Sequence, residues 1–209
     1  MTRSGRAVVA ALVISAFAGV GTTYDAPRAS SRPPQPRPQD AALPRPDAGP
    51  RTAAVPALQP SAPSRVSIAS IDVDASVTAV HRGGGGSPAA LLGVEGNGAG
   101  WLDGSVTPGE SGSSVVLGRV ATRLGPAVFH DLGALRKGNT IDVTRKDRTR
   151  ATFTVYAVAV YPGDRFPAKR VYGNARIPEL RVIGCAGYGR AEGHSGDVVA
   201  YARLTSTLR

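Results

Sequence analysis

The sequence is poor in the side chains that ligate metals, stack on bases or cross-link a chain: one cysteine, three histidines and 5% aromatics in 209 residues. Three dispersed histidines and one cysteine have no metal-ligand spacing, so no metal site is expected. A lone cysteine cannot form an internal disulfide. The formal charge of +10 would fit a nucleic-acid partner. No aromatic residues interleave with the basic ones, however, which excludes a stacking platform for single strands. No glycine run opens a helix, so there is no nucleotide-binding fingerprint, and neither a cofactor nor an internal repeat is indicated. No uncharged apolar run reaches the ~20 residues of a comfortable membrane span.

The positive charge is scattered. Residues 1–64 carry seven Arg against three Asp, and only Arg145-Lys146-Asp147-Arg148-Thr149-Arg150 is dense. That cluster reads as a solvated hairpin tip. Binding to an anionic wall polymer would rest on charge alone.

At the N-terminus Thr2-Arg3-Ser4-Gly5-Arg6 is followed by 15 uncharged residues, Ala7 to Gly21. This fits the core of a secretory signal, with Ala16-Phe17-Ala18 offering small residues for cleavage. Residues 1–24 are expected to be a signal peptide or an N-terminal membrane anchor. The absence of a following cysteine excludes lipid attachment. Residues 22–64 hold 11 of the 17 prolines. With no periodic apolar face, such a stretch cannot offset its ordering entropy by burial. Residues 25–64 are therefore expected to be a disordered, polyproline-like linker that holds a domain away from a membrane.

From Arg65 the composition changes. Ser67 to Val77 alternates apolar and small polar residues, the period of a half-buried strand. Ser113 to Gly118 is a short apolar strand, and Pro126 to Leu135 predicts one helical turn with Phe129 and Leu132 facing inward. Thr140–Thr144 and Thr152–Tyr161 flank the basic tip as a β-hairpin, with Ile141, Val143, Phe153, Val155 and Ala157 on one face. Glu179–Cys185 and Asp197–Leu204 read as the last two strands. Many short strands, little helix and many Gly/Pro turns indicate an all-β barrel or sandwich over residues 65–209.

Arg181-Val182-Ile183-Gly184-Cys185-Ala186-Gly187 carries the one cysteine at the end of a strand. The thiol is either a buried small hydrophobe or a nucleophile. Export places it where thiols oxidise, which favours a functional role. A nucleophile needs a base or a positive neighbour. His81 adjoins a glycine loop, His130 sits in the helical turn, and His194 lies nine residues beyond Cys185.

In this order and spacing, several segments resemble the sortases, specifically the actinobacterial class F type. They are Ile68-Ala69-Ser70-Ile71-Asp72, Gly100-Trp101, Pro108-Gly109-Glu110-Ser111-Gly112, Gly125-Pro126-Ala127-Val128-Phe129, Glu179 to Cys185, and Val198 to Leu204. The resemblance implies an eight-stranded β-barrel and a cysteine transpeptidase that cleaves Leu-Pro-x-Thr-Gly-like sorting signals at the cell surface. In that chemistry a thiolate forms an acyl-thioester that an amine or water resolves. Histidine serves as acid and base, and arginine holds substrate and oxyanion.

Cys185 matches the nucleophile, but the other two positions depart from the family. Gly118-Arg119-Val120 places Arg119 where histidine is expected, and Gly193-His194-Ser195-Gly196-Asp197 places Ser195 or Gly196 near the expected arginine. The usual threonine before the cysteine is Gly184. Arg119 supports a thiolate by charge but cannot transfer a proton near neutral pH. Impaired or altered activity is therefore expected, with His194 as a substitute acid/base, or a non-catalytic protein that binds sorting signals. The partners implied are a sorting-signal peptide, an unspecified acceptor amine and, through the N-terminus, a membrane.

Overall fold

The computed structural model describes residues 32–43, 55–81, 97–122, 124–186 and 196–209. The expected signal or anchor, residues 1–24, lies outside them. Eight strands form a closed barrel: β1 (Pro63–Ile68), β2 (Val73–Val80), β3 (Ala99–Leu102), β4 (Gly112–Arg119), β5 (Thr140–Arg145), β6 (Arg150–Tyr161), β7 (Pro178–Cys185) and β8 (Asp197–Leu208). Around the barrel they run β1-β2-β3-β4-β7-β8-β6-β5 and back to β1. The β2–β3 and β4–β7 pairs are parallel and the others antiparallel. The all-β expectation thus resolves to a barrel.

Alternation along the strands builds two apolar layers. Val66, Ile68, Ile141, Val143, Phe153, Val155, Val182 and Ala200 fill the interior. On the opposite face of β4, β7 and β8, Leu117, Ile183, Cys185, Val199 and Tyr201 form a second cluster, against which Phe166, Val171 and Tyr172 of the β6–β7 connection pack. Phe129 and Leu132 are fully buried beside a 3-10 turn, His130–Ala134, as their spacing predicts.

Three expectations need correction. The Ser67–Val77 pattern is two strands, β1 and β2, joined through a 3-10 turn (Ala69–Ile71) and Asp72 at φ 52°. Aspartate tolerates that left-handed conformation, and the apolar period resumes beyond it in the opposite phase. Ala157 leaves the interior face because a bulge in β6 sets Tyr201 opposite Ala157 and Ala202 opposite Val155. Arg145 is not a solvated tip residue. It is 2% exposed, its guanidinium donating to the carbonyls of Gln59 and Ser61 and lying 3.5 Å from Asp147 Oδ2.

The partners of Arg145 belong to the proline-rich stretch, and two parts of that stretch lie on the barrel. Leu58 N–H donates to Gly109 O at 2.8 Å, and Ser61 N–H donates to Thr107 Oγ1 at 3.0 Å. Residues 32–43 include a single helical turn, Pro38–Ala41, with Asp40 buried. Asp40 Oδ1 accepts from Lys137 N–H at 3.1 Å, and Lys137 Nζ donates to Gln39 O at 2.5 Å. The backbone at Pro34 comes so close to Gly133 that a Cβ there would lie 2.0 Å from Pro34 O. Proline-rich chain packs here without strands because its carbonyls remain acceptors for the barrel's donors.

Candidate active site

β7 is buried along its whole length, between β4 and β8. Its inward side at Gly184 has no room for a side chain: a Cβ would meet Val120 Cγ2 at 2.9 Å and both Leu132 Cδ2 and Phe129 O at 3.4 Å. Glycine there lets the strand end lie flat on the Phe129–Leu132 turn and turns the next side chain, Cys185, to the outer face.

Register decides what surrounds the thiol. In the parallel β4–β7 pair Arg119 is the partner of Cys185. In the antiparallel β7–β8 pair Gly184 faces Val198, so the next rung sets Asp197 beside Cys185. Arg119, Cys185 and Asp197 therefore stand in a row across three adjacent strands, about 4.8 Å apart in the hydrogen-bonding direction, on one face. The sequence named both Cys185 and Arg119, which strand register sets side by side, and did not name Asp197 as a site residue. His194 and Ser195 lie outside the described residues. Only cross-strand register brings Asp197 to the thiol, which no local pattern in the sequence announces.

The electrostatics of the row pull in two directions. Cys185 is 1% exposed. Burial pushes its thiol well above the ordinary range and the Asp197 charge pushes it further, while Arg119 and a backbone hydrogen bond from Gly118 act the other way. Burial wins, and the resting thiol is neutral at neutral pH. Asp197 is itself buried, which raises its carboxyl, although Oδ1 accepts the Ala186 N–H at 2.9 Å and so favours the charged form.

Farther along the same face, Glu179 accepts from Arg181 Nη2 at 2.5 Å, from Arg203 Nε at 3.0 Å and from Tyr156 OH at 3.3 Å. Arg181 stacks on Tyr201 and Arg203 on Tyr156, at 4.8 and 4.6 Å from the ring centroids. Arg203 is thus held between the Glu179 carboxylate and the Tyr156 ring. Beyond this network a cavity of about 580 Å³ opens, lined by His81, Asp103, Ser105, Ser113, Tyr172 and Asn174 among others. His81 Nδ1 lies 2.6 Å from Asp103 Oδ2. Val115 and Ser113 of β4, which line the cavity, lie four and six residues before Arg119, so it lies roughly 13–20 Å along the sheet from the thiol. His130 Nδ1 lies 3.0 Å from Asp131 Oδ1. Among the described residues no group of three His, Cys, Asp or Glu is placed to hold a metal.

A closed eight-stranded barrel with parallel β4 and β7 and a cysteine ending β7 defines the sortase architecture. The sortase domain family matches residues 66–205, and the chain belongs to that family. Among solved structures it is similar to sortase A from Corynebacterium diphtheriae at 18% identity, covering 71% of this chain and 62% of that one, with TM-score 0.52. Sortase A of Listeria monocytogenes aligns at 18% identity over 70% of this chain and 89% of that one, TM-score 0.53. The sortase D5 transpeptidase of Clostridium perfringens aligns at 16% identity over 69% and 79%, TM-score 0.52. The chain thus spans less than two thirds of the C. diphtheriae protein's length. No curated protein matches the sequence.

Proposed function

We propose that the protein is an exported, class F-like sortase in which Cys185 attacks the Thr carbonyl of a Leu-Pro-x-Thr-Gly-like sorting signal and passes the acyl group to an amine or to water. The observation that carries this reading is the Arg119–Cys185–Asp197 row at the strand end. It sets a nucleophile between a permanent cation and a carboxylate, on a face that leads to an open cavity. An extended peptide of four to six residues spans roughly 13–20 Å, which fits the distance from thiol to cavity. Tyr172 and Asn174 in its lining would meet the residues before the scissile bond. Export, membrane attachment through residues 1–24 and the identity of the acceptor amine belong to the same proposal.

A second reading, a protein that holds sorting signals without cutting them, is favoured by the burial that keeps the thiol neutral. Loss of general acid/base work typically lowers rates about 10²–10⁴-fold. Intact-mass spectrometry of the full chain with a Leu-Pro-x-Thr-Gly peptide library, with Cys185→Ala as control, separates the two. A Cys185-dependent acyl adduct or cleaved peptide establishes the enzyme. Saturable binding with neither establishes the holding protein.

A further inference from the structure

The family's histidine position holds Arg119, which cannot give up a proton near neutral pH. Some other group must take the proton from the thiol and return it to the leaving amine. Among the described residues, the charges that act on the Cys185 sulfur are those of Asp197 and Arg119. His81 does not reach it: continuing the Trp101–Val116 register sets its partner Asp103 beside Ser114, five residues from Arg119 on β4, roughly 16 Å away. His130 is engaged by Asp131.

We propose that Asp197 is the acid/base partner of Cys185, acting directly on the thiol from the neighbouring strand. The assignment rests on the transpeptidase reading. The Asp197 carboxylate takes the Sγ proton as sulfur bonds to the Thr carbonyl carbon. Arg119, on the other side of the sulfur, supplies the compensating positive charge. When the C–N bond breaks, the protonated carboxyl gives its proton to the leaving glycine amine, leaving thioester, free amine and carboxylate. The incoming amine then reverses the exchange: Asp197 accepts its proton and returns it to the sulfur as the new amide forms.

The surroundings suit this work. The Ala186 N–H holds one carboxylate oxygen at the strand end at 2.9 Å. Burial brings the carboxyl toward the range where it exchanges protons. Among the described residues, register places Cys185 on β7 beside it and Arg119 one strand beyond. Its register partner on β6 is Tyr161, whose hydroxyl is hydrogen-bonded to Tyr201 OH at 3.0 Å.

Asp197→Asn retains an acceptor for Ala186 N–H and removes only the titrating carboxyl. Two rates in the full chain test the assignment. One is acyl-adduct formation and transfer with the peptide library and triglycine as the amine. The other is alkylation of Cys185 by iodoacetamide across pH. Removing a negative neighbour favours thiolate, so alkylation at neutral pH should rise about tenfold, while acyl transfer should fall about 10²–10⁴-fold and lose its acidic limb. Such opposite movements cannot come from a purely structural role. Asp197→Glu, which keeps the carboxyl, should retain the limb with a shifted midpoint, and it answers the question if the Asn variant misfolds. Equal or faster transfer in Asp197→Asn overturns the assignment, as does loss of transfer in His194→Ala alone. A wild-type chain that alkylates but never acylates overturns the transpeptidase reading with it.

Discussion

Arg119 and Asp197 stand on either side of Cys185, the fixed cation on the β4 side and the titratable group on the β8 side. Arg119→Ala removes the nearby positive charge opposing thiol protonation, and alkylation of Cys185 at neutral pH should slow about tenfold. Asp197 also carries a stability signature. Its folded-state pKa lies above the unfolded value, so the native state binds more protons in that window. Stability should therefore fall as pH rises from the ordinary carboxylate range through the raised pKa. Thermal melts from pH 3.5 upward should show this slope in the wild type and lose it in Asp197→Asn. The thiol was evident in the sequence, being the lone cysteine after a β-branched run. Its carboxylate partner was not, because cross-strand register joins residues 12 positions apart and no local pattern announces it.

At the level of elements, β7 carries two features that fix the site. Gly184 is one. Gly184→Thr, the residue common in the family, would drive a β-branched side chain into Val120 and Leu132. Overpacking of this kind costs about 1–3 kcal/mol, measurable by denaturant titration, with slowed acyl transfer as the strand end shifts. Glu179 is the other. Glu179→Ala leaves Arg181, a buried cation, without its carboxylate, and breaking such a pair costs about 3–5 kcal/mol; Glu179→Gln should be milder because it keeps an acceptor. The sequence showed the hairpin through its alternation, and β4 and the last two strands through their apolar runs, Val115–Leu117 in β4 and Val198–Ala202 in β8. It did not separate β1 from β2, although the buried positions change phase between them, from Val66 and Ile68 to Val73, Ala75 and Val77. The bulge that turns Ala157 outward is likewise a property of paired strands, invisible in one.

Across the whole molecule, the barrel is braced by chain that composition marks as a spacer. Removing residues 1–43 takes away the Asp40 acceptor and leaves Lys137 N–H to find another. The truncated protein should melt several degrees lower, in line with about 1–2 kcal/mol for lost hydrogen bonds and packing. A spacer reading predicts no change. Proline content speaks to intrinsic order and says nothing of carbonyls that a neighbouring surface can recruit, such as those of Gln39 and Ser61. That docking also sets a length. If residues 1–24 remain in a membrane, a free linker over 25–64 would let the barrel range up to about 125 Å from the lipid at polyproline spacing. With Pro34 already against Gly133 of the barrel, the reach left to residues 25–33 is at most about 30 Å when fully extended. On the proposed function, the face that carries Cys185 would then meet sorting signals as they emerge at the bilayer surface, within a single protein diameter of it, and not deep in the wall.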